Sequence, residues 1–269
     1  MLTANVIKQF ASLKQKKERL EQSRFLIEGF HLVEECLNSG YELEYIILRS
    51  DVNLQGHTAI LEKIAKNKTI VEPLPEKQFN KLADTESSQG IVGIVKRSFK
   101  NALAESAANS DSKIIIALDR ISDPGNLGTI IRTAYWFGVN TILLSKECAD
   151  PYNPKVIRST QGGIFHTNII EDADLAEKLK ELELAGHEVY LFTLDAQNFL
   201  SALRENSSIT SNSKSVLVFG NESHGISQEI LDAGFERVKI KGYSGSESLN
   251  AAVSCAIALY EFTRGDCAN

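Results

Sequence analysis

Apolar positions along the chain fall into two successive alternations of strand-like runs and helical stripes. Val6, Phe10 and Leu13 have the spacing of one helical face, so the chain is expected to open on a basic amphipathic helix. Strand-like "RFLIEG", helical "FHLVEECLNSG", strand-like "EYIILRS" and helical "HTAILEKIAKN" follow. A strand "TIVEP", a helix around "EKQFNKLAD" and a strand "GIVGIVKR" complete a small α/β domain over residues 1–98. Residues 99–112 contain "NALAESAANSDS", rich in Ala, Ser and Asn, and read as a linker. A second alternation fills 113–269, with strands "KIIIALD", "NTILLS", "EVYLFTLD", "SVLVFG" and "ERVKIK" and a long helix from about Ser248. Near-continuous apolar strands between helices indicate a parallel sheet covered on both faces, so the expected class is α/β.

Composition adds bounds. A hydrophobic content of 43% and a charged content of 24% suit a globular chain with a real core. No apolar run approaches ~20 residues, so no membrane span is expected, and the opening residues lack a signal-peptide core. Cys36, Cys148, Cys255 and Cys267 lie far apart without a CxxC pair. They read as reduced thiols of a cytoplasmic protein, with no metal site and no disulfide framework.

The net charge of −6 argues against a polyanionic partner, but charge is uneven. Residues 1–24 hold Lys8, Lys14, Lys16, Lys17, Arg19 and Arg24 against Glu18 and Glu21, and "VKRSFK" gathers Lys96, Arg97 and Lys100. A locally basic surface on an acidic chain can hold a phosphate backbone, yet solvated helix faces have the same composition. Lys14, Lys16, Lys17, Arg19, Lys96 and Arg97 are the candidate phosphate contacts.

Candidate chemistry concentrates in three loops, each after a predicted strand of the second half. The first is "DPGNLGTIIRTAYWFG", Asp123 to Gly138. Ser122 or Asp123 can cap its helix, with Pro124 near the first position. Leu127, Ile130, Ile131 and Ala134 form a buried stripe at 100° per residue, and Arg132 falls on the opposite side. The second is "VLVFGNESHGIS", where Gly220, Asn221 and Glu222 follow the strand directly. The third is "VKIKGYSGSESLNAAVSCAIALYEF", in which Ser248 and Asn250 open the last helix. Ligands of open α/β sheets bind outside the carboxyl ends of strands, so three such loops can build one pocket. The glycines match neither a dinucleotide fingerprint nor a phosphate loop.

Together and in this order, the three stretches resemble the motifs of the SpoU (TrmH-like) family of RNA ribose 2′-O-methyltransferases, within the SPOUT superfamily, over roughly Lys113 to Phe262. "FLIEGFHLVEECL" resembles the opening of the ribosomal-protein-like RNA-binding module that many rRNA-modifying members carry. The resemblance implies a knotted (trefoil) methyltransferase domain, a homodimer, S-adenosylmethionine as methyl donor, and RNA as substrate, rRNA before tRNA. It assigns Asn126 and Arg132 to the catalytic centre and main-chain donor contacts to Gly220, Ile240 and Leu249. Glu222, Ser248 and Asn250 complete the catalytic candidates: Glu222 can hold Asn126 or Arg132 in place, and Ser248 and Asn250 can cap backbone donors or touch substrate. Arg132 then serves either as the base or as an electrostatic stabiliser of the developing alkoxide. Lys241 departs from the pattern, since relatives usually carry proline after the isoleucine.

The small residues Ala251, Ala252, Ser254, Ala256 and Ala258 allow close approach of another helix, either within the domain or across a dimer. A non-catalytic RNA-binding protein with a degenerate methyltransferase domain is the main rival. It would not need Asn126, Arg132, Glu222 and Asn250 together. A Rossmann-type enzyme would carry a GxGxxG turn with an acidic residue ~20 positions later, and the chain has none.

Overall fold

The computed structural model describes residues 2–97, 113–205, 213–243 and 248–264; the linker expected over 99–112 and Cys267 lie outside them. In chain order the first elements are α1 (Ala4–Ser12), α2 (Lys16–Gln22), β1 (Arg24–Glu28), α3 (Phe30–Ser39), β2 (Leu43–Arg49), α4 (Thr58–Lys66), β3 (Ile70–Leu74), α5 (Glu76–Phe79) and β4 (Ile91–Lys96). There follow β5 (Ile114–Asp119), α6 (Pro124–Trp136), β6 (Thr141–Ser145), α7 (Pro154–Thr160), a 3₁₀ turn (Gly163–Phe165), β7 (Asn168–Ala173) and α8 (Leu175–Leu184). The last are β8 (Glu188–Phe192), β9 (Asn198–Phe199), α9 (Leu200–Glu205), β10 (Ser215–Gly220), α10 (Gln228–Leu231), β11 (Glu236–Lys239) and α11 (Ala251–Thr263).

The chain divides into two compact units, Met1–Phe99 with Asp150–His166, and Lys100–Ala149 with Thr167–Asn269. In the first, the strand order is β1-β4-β2-β3, with β4 antiparallel to both neighbours and β2 parallel to β3. The central β4 is buried from Ile91 to Val95, as an all-apolar run between two strands must be. Ile7, Phe10 and Leu13 of the opening segment complete a core with Leu26, Ile47, Phe79 and Ile94.

Segment Asp150–His166 follows β6 in sequence but packs into this first unit. Asp150 pairs with Arg19, Arg158 with Asp84, and His166 Nε2 lies 2.9 Å from Glu35 Oε2. Phe25 and Tyr152 rings meet at 4.9 Å between centroids.

The second unit is built on a seven-stranded sheet in the order β7-β6-β5-β10-β8-β11-β9, parallel throughout. Central β5 and β10 bury Ile115, Ile116, Ala117, Leu118, Val216, Leu217 and Val218 completely. The stripe of α6 is buried as the periodicity requires: Leu127, Ile130, Ile131 and Ala134 are each 0% exposed. Helix α6 packs against α11, whose Ala251, Ala252 and Ala258 are buried, so these small residues serve packing inside the unit. The apolar pattern missed β7 and β9. Strand β7 lies at a sheet edge and buries only Ile169 and Ile170, and β9 has two residues.

Cys36, Cys148 and Cys255 are free, and burial pushes the Cys36 thiol up to about 12 and raises those of Cys148 and Cys255. Such thiols stay protonated and inert at neutral pH. Among the described residues no helix is long and apolar enough to cross a membrane, and no cluster of His, Cys, Asp or Glu could hold a metal ion.

Candidate active site

The three loops meet where β5 and β10 end side by side. Asp123, not Ser122, caps α6: its Oδ1 accepts the Asn126 amide at 2.8 Å, and Pro124 takes the first helical position, where no amide hydrogen is needed. That fixes Asn126 in the first turn with its side chain at the mouth of the sheet.

Gly220 closes β10, and the returning chain crosses directly over it. A Cβ there would lie 2.3 Å from the Gly225 carbonyl carbon, so only glycine fits. The crossing is held by Asn221 N to Gly225 O at 3.0 Å and Gly225 N to Asn221 O at 2.8 Å. Asn221 Nδ2 donates to the Arg120 carbonyl at 2.9 Å, while its Oδ1 accepts the Ser223 and His224 amides at 2.9 and 3.1 Å. The turn is thereby rigid, and Glu222 at its tip points to a defined place.

Asn250 caps the last helix, its Oδ1 accepting the Ala252 and Val253 amides at 2.9 and 3.3 Å. Its Nδ2 donates to Asn126 Oδ1 at 2.8 Å, and Asn126 Nδ2 donates to Glu222 Oε1. One residue from each loop is thus joined in a single chain, Asn250 to Asn126 to Glu222. The expectation that Glu222 holds Asn126 or Arg132 resolves to Asn126. Ser248 is exposed and lies two residues before Asn250, whose side chain caps the helix.

This network yields a contrast between two variants. Asn250→Ala removes the cap and should cost about 1 kcal/mol in denaturant unfolding. Asn250→Asp keeps the cap and the stability but aims a carboxylate at Asn126 Oδ1, so its activity should fall without a stability loss. Equal activity in Asn250→Asp and wild type would show that the Asn126 link is idle.

Arg132 is not part of this network. It stands six residues beyond Asn126, about 9 Å along α6 and roughly 120° around it. Its side chain is exposed and makes no hydrogen bond or ion pair among the described residues. It shares one helix face with Tyr135 and Trp136, at i+3 and i+4, which are 46% and 84% exposed.

Two of the expected donor contacts lie at strand ends of the large sheet, and the third precedes the last helix. Gly220 ends β10, Ile240 follows β11, and Leu249, 48% exposed, precedes α11. Between β10 and β11 the sheet places β8, and Leu194 just beyond it is 69% exposed. Leu194 is absent from the sequence-derived candidates. The signal available was "LFTLD", an apolar strand followed by one more leucine where a turn would be polar. Exposed leucines beside main-chain groups suit the faces and edges of an adenosine, so these residues fit a nucleoside-bearing donor.

The basic candidates separate. Arg19 is 2% exposed and cannot meet a phosphate: it pairs with Asp150 and donates to the Leu13 and Lys14 carbonyls at 2.7 and 2.8 Å. Those carbonyls are left open where α1 ends, and the guanidinium satisfies them, so Arg19 is a structural residue. The single opening helix expected from the spacing is instead two, α1 and α2, with residues 13–15 as the turn between them and Lys16, Lys17 and Arg19 on α2. Lys14 Nζ is tied to the Ala83 carbonyl at 2.6 Å, a second departure from a phosphate contact. Lys16 and Lys17 are exposed, with Lys17 3.6 Å from Glu21. Lys96 pairs with Glu42 at 3.1 Å, and the Arg97 guanidinium lies 4.6 Å from the Tyr152 ring centroid.

Comparison with known proteins bears on the same residues. The model of the SpoU rRNA Methylase family matches residues 113–260, more than half of the chain and all three loops. The chain belongs to the SpoU rRNA methylase family. A second model, the MRM3-like substrate binding domain, matches residues 4–93. The 23S rRNA (guanosine(2553)-2′-O)-methyltransferase RlmP of Bacillus subtilis is 30% identical over 94% of this chain and 94% of its own length. A crystal structure of an AdoMet-bound rRNA methyltransferase from Sinorhizobium meliloti superposes with a TM-score of 0.82 at 28% identity, covering 98% of this chain and 96% of that one. The SpoU methyltransferase AviRb from Streptomyces viridochromogenes superposes at 0.83 with 20% identity, covering 98% of each chain, which shows the shared fold.

Proposed function

We propose that this family member transfers a methyl group from S-adenosylmethionine to the ribose 2′-hydroxyl of a nucleotide in ribosomal RNA, in the cytoplasm. The observation that carries the reading is the Asn250–Asn126–Glu222 chain, which ties the three family loops into one site. A fold retained for RNA binding alone has no use for it.

The bound donor supplies an electrophilic methyl group, held by the main chain at Gly220 and Ile240 and by Leu249. The protein's own task is to hold the hydroxyl oxygen in line with that methyl and to accommodate charge as the O–H bond breaks. Asn126, fixed at both ends of its amide, has no freedom to rotate and can orient the ribose. Glu222 spends one oxygen on that fixation, which makes it a positioning residue. A guanidinium offers donors and no acceptor, so Arg132 acts by stabilising the developing alkoxide while solvent takes the proton.

Arg132 reaches such a site most directly from a second copy of the chain. The patch it borders is apolar and open: Tyr135 and Trp136 on α6, and Val253 and Tyr260, seven residues apart on one face of α11, are each at least 46% exposed. An exposed apolar patch on packed helices is a surface another protein covers. A homodimer through α6 and α11 buries it and sets Arg132 at the boundary. Light scattering at low micromolar concentration should give about twice the 29.7 kDa chain mass. A monomer that still methylates RNA would contradict the assembly.

The first unit carries the substrate-binding match and is assigned the grip on RNA. Exposed Lys16 and Lys17 remain its basic candidates from the opening segment. Calorimetric titration of the full chain with S-adenosylmethionine tests the donor: micromolar affinity, about −8 kcal/mol, is expected. Absence of binding by folded protein would remove the donor assignment.

A further inference from the structure

Lys241 lies in a row of basic and aromatic side chains at the β9 edge of the large sheet. Lys239 and Phe199 are direct ladder partners of β11 and β9, so their side chains emerge on the same face. Lys239 Nζ lies 5.0 Å from the Phe199 ring centroid. Lys241, two residues further, repeats that orientation, its Nζ 5.9 Å from Phe199 and 5.2 Å from the Tyr243 ring. Tyr243 is 89% exposed, so its ring is open to a ligand beside this ammonium.

The local charge is positive. Arg237, on the same alternation, is neutralised by Asp195 at 2.8 Å, and Glu236 accepts a hydrogen bond from Asn198 at 3.2 Å. Lys239 and Lys241 have no carboxylate partner among the described residues. Two unneutralised ammonium groups with an open aromatic ring are the parts of a single-strand nucleic-acid platform: the ring stacks a base and the lysines meet the adjacent phosphates. An acidic peptide would use the lysines but would leave the tyrosine without a role.

We infer that Lys239, Lys241 and Tyr243 form an RNA subsite that grips an unpaired nucleotide next to the one being methylated. The inference rests on the proposed methyl transfer for its location, since Lys241 directly follows Ile240 and Tyr243 is three residues beyond it. Tyr243 therefore falls within ~10 Å of that donor contact along the chain. A nucleotide held there is a neighbour of the target and not a remote anchor.

The test is filter binding of a mixed-sequence 12-nucleotide single-stranded RNA to full-length protein at several salt concentrations. Wild type is compared with Lys239→Gln/Lys241→Gln, Tyr243→Ala and Tyr243→Phe. The double variant can no longer neutralise two phosphates, so its slope of log affinity against log salt should be flatter by about 1.4. Tyr243→Ala should bind at least ~5-fold more weakly, the loss of one stacked base, and Tyr243→Phe should bind within twofold of wild type. Calorimetry should give all variants wild-type affinity for S-adenosylmethionine. An unchanged slope together with wild-type binding by Tyr243→Ala would overturn the subsite, as would a parallel loss of donor binding, which would assign these residues to the donor pocket. Failure of the proposed reaction is separately visible: wild type would then bind the RNA with the same slope but transfer no methyl group to any RNA.

Discussion

Arg132→Ala is expected to lower single-turnover methyl transfer by ~10²–10³, the usual cost of removing one preorganised electrostatic contact to a developing oxyanion. The same variant should keep its affinity for S-adenosylmethionine and its melting temperature. Nothing in the described chain leans on the guanidinium, which is exposed and unpaired, so its loss leaves folding untouched. Arg132→Lys should fail nearly as badly, because an ammonium lacks the planar fork that can hold two oxygens at once. Mixed dimers give a sharper form of the test. If Arg132 works across the subunit boundary, a heterodimer of Arg132→Ala with Asn126→Ala regains one intact site, while either homodimer has none. Wild-type turnover in Arg132→Ala would exclude the role.

The second large effect concerns stability. Arg19→Met should destabilise the first unit by about 3–5 kcal/mol, because it strands the Asp150 carboxylate and the Leu13 and Lys14 carbonyls without a donor. Arg19 and Asp150 side chains are 2% and 7% exposed, so solvent cannot take the place of the missing partner. The double variant Arg19→Met/Asp150→Leu should recover a large part of the loss, since an apolar pair carries no desolvation penalty. Urea unfolding of the three proteins measures this. A single variant within 1 kcal/mol of wild type would show that the pair is solvated in practice.

Arg19 also shows where one-dimensional reading stops. Lys14, Lys16, Lys17 and Arg19 look alike as charges in a row, and only the inward face of α2 separates the buried Arg19 guanidinium from exposed Lys16 and Lys17. Its partner Asp150 is 131 residues away in sequence, beyond the reach of any local pattern. The same distance hides the membership of Asp150–His166 in the first unit. Strong local signals fared better. The four-residue stripe of α6, the presence of side-chain caps at the starts of α6 and α11, and the apolar strands β5 and β10 follow from spacing and side-chain chemistry, while the choice of Asp123 over Ser122 came from the structure. Edge strands β7 and β9 left too little apolar sequence to register.

The candidate site was legible as three separate loops, and the family resemblance joined them. Spacing alone could not tell that Asn126 meets both Glu222 and Asn250, because that depends on how β5 and β10 abut. Nor does periodicity report the knot that the family implies, which concerns the path of the chain and not the order of its strands.

Ribose methylation of RNA leaves a chemical signature that alkali reveals. Full-length protein, S-adenosylmethionine with a labelled methyl group and unmodified rRNA are incubated, and the RNA is then hydrolysed with alkali. A 2′-O-methyl blocks cleavage at its own phosphodiester. Label is expected in a single alkali-resistant dinucleotide, absent when Asn126→Ala or Arg132→Ala replaces wild type. Label released in mononucleotides would place the methyl on a base, and no label at all in RNA from protein that binds the donor would contradict the assignment.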